Sequence, residues 1–140
     1  MSQYYDVGDE TVWNPSNGAA RLFHRQVAVF EEELGLPSGI GPLINDECQL
    51  DPAALGTFAE ALVARHGTTG HAVIRALSEG FVATVLVLAE RVGAHVHWPQ
   101  PADSLEGARD VQVPLPDSYE SLAESEVRTA ARELSRRMPR

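Results

Sequence analysis

A chain of 140 residues and 15.2 kDa fits one domain, spanning residues 1–140, and is long enough to bury a core without disulfide or metal staples. With 44% hydrophobic and 22% charged residues it has an ordinary globular composition, which excludes disordered, collagen-like and disulfide-framework classes. All 11 basic residues are arginine, which excludes a lysine Schiff base or P-loop lysine, and a net charge of −9 argues against a nucleic-acid binder held by phosphates.

In chain order, residues 1–13 predict a hairpin, with Gly8-Asp9 turning between YYDV and ETVW. A helical core follows over residues 17–93. Phe23, Val27, Phe30 and Leu34 line one face of its first helix, which Ser16 or Asn17 caps and Gly35 with Pro37 ends. LPSGIGPLINDECQL is rich in glycine and proline and reads as a loop. Asp51-Pro52 opens a second helix with the stripe Leu55, Phe58, Leu62 and Val63, stopping at His66-Gly67. The third helix carries Ile74, Leu77, Phe81, Leu88 and Val92 on one stripe, with Val73, Ala83, Val85 and Val87 around it. Apolar on most of its girth, it belongs at the centre, with Arg75, Glu79, Glu90 and Arg91 turned outward.

Beyond Gly93 the period changes to two. AHVHW and the run Val111, Val113, Leu115 predict short edge strands within residues 94–116, with Pro99, Pro101, Pro114 and Pro116 around them. A last helix over residues 117–138 starts at Asp117 or Ser118 and bears Tyr119, Ala123, Val127, Ala130 and Leu134. The predicted fold class is mainly α: a four-helix core with a small peripheral β element (α+β).

YYDVGDETVWNPSNGAARLF, the segment Asp46–Pro52 and the long apolar helix resemble an uncharacterised family of small proteins from high-GC, Gram-positive soil bacteria, over about residues 2–93. The resemblance implies no activity and no catalytic residue. The absence of lysine fits a GC-rich coding bias independently.

The chemistry-bearing residues are few. His95 and His97 are two apart, so on a strand their imidazoles share a face and could begin a metal site, with Glu90, His66 or His71 as a third ligand. Histidines solvated on an edge, backed by Trp98, are the plainer reading. His66 at a helix end, His71 at a helix start and His24 at a core boundary have ordinary structural explanations. Cys48, flanked by Glu47, is a poor nucleophile and reads as structural; a lone cysteine also suits a reducing, cytoplasmic compartment. The dinucleotide fingerprint, the nucleophile elbow and the calcium loop all fail on spacing. No catalytic motif is present and no cofactor is expected.

Charge is uneven. Residues 1–60 hold 10 acids against Arg21 and Arg25, whereas residues 128–140 hold five arginines and one glutamate. Glu31, Glu32 and Glu33 sit in the last helical turn, where the dipole disfavours them. These three, with Asp46 and Glu47, are the candidate contacts for a basic protein partner. The leading expectation is therefore a non-enzymatic interaction domain, an immunity-type inhibitor or regulatory adaptor. The alternative is a small enzyme or small-molecule binder with a pocket lined by Trp13, Trp98 and Tyr119, using His95 or His97. A homodimer is expected if the helices leave an apolar strip uncovered. The acidic, polar N-terminus predicts no signal peptide, and the nine-residue apolar run from Phe81 to Ala89 is too short for a membrane span; neither nucleic acid nor membrane is an expected partner.

Overall fold

The computed structural model describes residues 2–98 and 119–140. The predicted strand through Val111, Val113 and Leu115, the helix start at Asp117 or Ser118 and the side chain of Tyr119 lie outside the described residues. Strands β1 (Tyr4–Val7) and β2 (Glu10–Trp13) form the N-terminal hairpin, turned by Gly8 at φ 60°. The register slips between Tyr5 and Asp6, and this bulge lets the consecutive residues Val12 and Trp13 both face inward.

Helix α1 (Asn17–Leu34) starts where Ser16 Oγ accepts from the Ala19 N–H and ends at Gly35, left-handed at φ 64°. It buries Ala20, Phe23 and Val27. Because α1 crosses over, the next strand can pair in parallel. That strand, β3 (Glu47–Gln49), lies in the stretch predicted as loop, and the sheet order is β2-β1-β3. Tyr5 and Cys48 are register partners on β1 and β3, both fully buried.

Helix α2 (Pro52–Thr68) is capped by Asp51, whose Oδ1 accepts from Ala53 and Ala54, and it runs past the predicted stop at His66-Gly67. The loop before it must close tightly: Gly39, at φ 75°, leaves no room for a Cβ, which would meet Leu55 N at 2.6 Å and Asp51 O at 2.7 Å. Helix α3 (Ala72–Arg91) is N-capped by the His71 ring, whose Nδ1 accepts from the Ile74 N–H. Helix α4 (Tyr119–Arg137) buries Val127. Arg75 meets Glu126 near the start of α3, and Arg91 meets the Ser135 and Met138 carbonyls near its end, so α3 and α4 run parallel. The four helices and small sheet give the predicted α+β class.

Further local expectations change in α3 and just after it. Ile74 and Leu77 were placed on the core stripe, yet they are 36% and 75% exposed. Helix α1 reaches α3 through Phe23 and Phe30 on Phe81, at centroid distances of 5.6 and 4.4 Å. One and two turns before Phe81, Leu77 and Ile74 line an open groove instead. Residues 94–98 form no strand, because no described strand stands beside them to complete a ladder. The His97 N–H donates instead to Glu60 Oε1 at 3.0 Å. Helix α3 is long and apolar enough to cross a membrane, but its second half is buried among the other elements.

Candidate functional site

Among the described residues, several exposed apolar side chains gather between α1 and α3. A groove of about 530 Å³ has walls of Val29, Ile74 and Leu77, a floor at Phe30, and Arg25, Glu33 and Arg65 at its rim. Val29 is 55% exposed, and Leu22, two turns earlier on α1, is 61% exposed. Helical spacing puts Leu22, Gln26, Val29 and Glu33 on one outward stripe and Glu32 on the turn after Val29. Phe30 lies flat on Phe81, at 6° between planes, and one and two turns before that contact the Leu77 and Ile74 side of α3 stays open, while its Arg75 side meets α4.

The five predicted acidic contacts do not form one patch. Asp46 Oδ1 accepts from Gln3 Nε2 at 2.8 Å, and the same amide donates to Asn17 Oδ1 at 2.7 Å. Asp46 and Glu47 therefore stand by the start of α1. Glu31 to Glu33 lie at its other end, roughly 21 Å away at 1.5 Å per residue. Glu31 Oε2 accepts from the Ser38 N–H and Glu33 pairs with Arg65 at 2.9 Å, which leaves Glu32 exposed and without an ion pair among the described residues.

His95 and His97 do come together, with rings 4.5 Å apart and nearly perpendicular, while Val96 and Trp98 turn toward the core. Among the described residues no cluster of three potential ligands surrounds a metal position. Of the third ligands considered, His71 caps α3 and His66 is buried on α2. The predicted aromatic pocket divides: Trp13 packs on Tyr5 and Phe23 in the core, at 4.8 and 5.3 Å. Trp98 lines a separate cavity of about 650 Å³ with Glu90, His95 and Arg128, and the Arg128 guanidinium covers its ring at 4.7 Å.

Burial sets the chemistry of the remaining groups. The Cys48 thiol, fully buried and donating to the Gly41 carbonyl, is pushed up to about 12, which rules it out as a thiolate nucleophile at neutral pH. His66 does sit near the end of α2, but buried, where the neutral ring is favoured rather than the partly charged one expected of a helix C-terminus. Desolvation first, then the charge of Arg75, lowers its pKa from 6.5 to about 4. Since the unfolded chain takes up the proton first, stability is full above about pH 6.5 and falls as pH drops toward 4. We expect a loss of roughly 2 kcal/mol over that window, after allowing for solvent screening. Urea midpoints against pH measure it. His24 is lowered in the same direction by burial, so His66→Gln should shrink the slope without abolishing it. An unchanged slope would contradict the assignment.

The model of a family of unknown function (DUF6086) matches residues 1–140. The chain belongs to that family. The match extends through the C-terminal stretch that the resemblance by sequence had left out. No curated protein and no solved structure matches the chain. Membership assigns no activity, so the DUF6086 chain must be read from its own surfaces.

Proposed function

We propose that this chain is a non-enzymatic protein-interaction domain, an inhibitor or adaptor, whose α1–α3 groove receives a basic amphipathic segment of another protein. The observation that carries the reading is the exposed strip Val29, Ile74 and Leu77 over the Phe30 floor. The rim itself is mixed, with Arg25 beside the paired Glu33 and Arg65, so a basic occupant is favoured by the field of the chain as a whole. Residues 1–60 hold 10 acids against two arginines, and Glu32 with Glu33 stands where α1 ends beside the groove. A second copy would bring a further charge of −9, whereas a basic segment gains from the field. Glu32 and Glu33 serve this face; Asp46 and Glu47 serve the far end of α1. The buried thiol and all-arginine basicity support a reducing, cytoplasmic setting in a GC-rich bacterium.

Titration calorimetry with a model helical peptide tests the reading, one peptide carrying leucine and arginine faces and a counterpart carrying leucine and glutamate. The arginine peptide is expected to bind saturably, more weakly in added salt, and about tenfold more weakly to Leu77→Asp. Leu77 is exposed, so this variant should keep wild-type stability within about 0.5 kcal/mol. Equal binding by the variant, or preference for the glutamate peptide, overturns the proposal. So does a dimer in sedimentation equilibrium that Leu77→Asp dissociates, since the groove would then belong to a second copy.

A further inference from the structure

A third concavity, of about 670 Å³, lies on another side of α1, between that helix and the turn entering β3. Its wall is held from within. The buried amide of Gln3 ties Asn17 to Asp46, and the Tyr4 N–H donates to the Asp46 carbonyl at 2.8 Å. These bonds fix Asn45 and Asp46 in left-handed backbone, at φ 53° and 68°. They also hold one Asp46 carboxylate oxygen on an amide donor.

Arg21 and Arg25 line the same cavity. They are the only basic side chains among residues 1–60, amid 10 acids, and four-residue spacing puts them on one face of α1. Among the described residues neither makes an ion pair, although the chain carries carboxylates in excess. His24 stands between them in sequence and also lines the cavity; its ring packs on Tyr5 and Phe23 at 5.6 and 6.4 Å, and its Nε2 is buried there without a hydrogen-bond partner among the described residues. Burial favours the neutral ring, leaving the two guanidinia as the cationic groups of the wall. Planar guanidinia suit carboxylate and phosphate oxygens, which they meet two at a time.

We propose that this cavity binds a small organic anion through a carboxylate or phosphate group held by Arg21 and Arg25. The site stands apart from the interaction reading, although Arg25 borders both cavities. Inorganic phosphate and succinate are the probes, with chloride at equal ionic strength as reference, followed by calorimetry and by NMR of the arginine side-chain N–H groups. One probe or both should bind saturably, and the stronger names the anion class. Arg21→Ala and Arg25→Ala should each weaken binding about tenfold, with Arg21→Lys restoring only part because it loses the fork. Arg136→Ala, in the last turn of α4, should leave binding unchanged, and Leu77→Asp should too, which separates this site from the groove. No saturable binding of either probe at millimolar concentration overturns the proposal. Equal loss in Arg136→Ala does the same.

Discussion

Replacing Phe81 by alanine is expected to cost about 3–5 kcal/mol, read as a shift in the urea midpoint at unchanged slope. Phe81 is 2% exposed, and three rings converge on it: Phe23 and Phe30 from α1 and Phe58 from α2. Removing the ring takes away buried apolar area and leaves a cavity that three separate helices would have to move to fill. Phe81→Leu should cost less, because it keeps much of the volume. The substitution also reaches the surface. Phe30, the groove floor, is stacked on Phe81, so Phe81→Ala should weaken the arginine peptide even where the variant is still folded. A loss below about 1 kcal/mol would mean that these rings do not set the helix separation.

Local signals carried most of the fold. Ser16, Gly35 and Asp51-Pro52 act on their own turns, so the limits of the first helix and the start of the second were legible without tertiary knowledge. Strand β3 was not, because three residues give too short an alternation and its partner Tyr4–Asp6 lies more than 40 residues earlier. Residues 94–98 show the converse. Their alternation correctly turns the histidines outward and Val96 and Trp98 inward, yet alternation alone supplies no neighbouring strand. The groove was half legible. Leu22 and Val29 fall off the core stripe of α1, a sequence signal for a second apolar face. That Ile74 and Leu77 would border it depends on how Phe30 meets Phe81, which no periodicity encodes. The acidic run misled for a similar reason: Glu33 finds Arg65 32 residues away, and Glu31 turns to the Ser38 amide.

Arg91 was expected to point into solvent at the end of α3. In the fold its Nη1 donates to the Val12 carbonyl at 2.7 Å and its Nη2 to the Ser135 and Met138 carbonyls at 3.0 and 2.9 Å. One guanidinium thus ties the hairpin to the ends of α3 and α4, beside a backbone bond from the Asn14 N–H to the Pro139 carbonyl. Hydrogen bonds from a charged donor contribute more than neutral ones, and their loss leaves partly buried carbonyls unsatisfied. Arg91→Met, which keeps the apolar stem, should therefore cost about 2–4 kcal/mol. Arg91→Lys should recover a fraction, since an ammonium cannot span three carbonyls on two elements as the fork does. Hydrogen exchange gives the sharper reading. Protection of the Asn14 amide and the last turn of α4 should fall while that of α2, whose carbonyls are not among these partners, persists. A cost below about 0.5 kcal/mol, or uniform loss of protection, would show that α4 is held by Val127 and its neighbours alone.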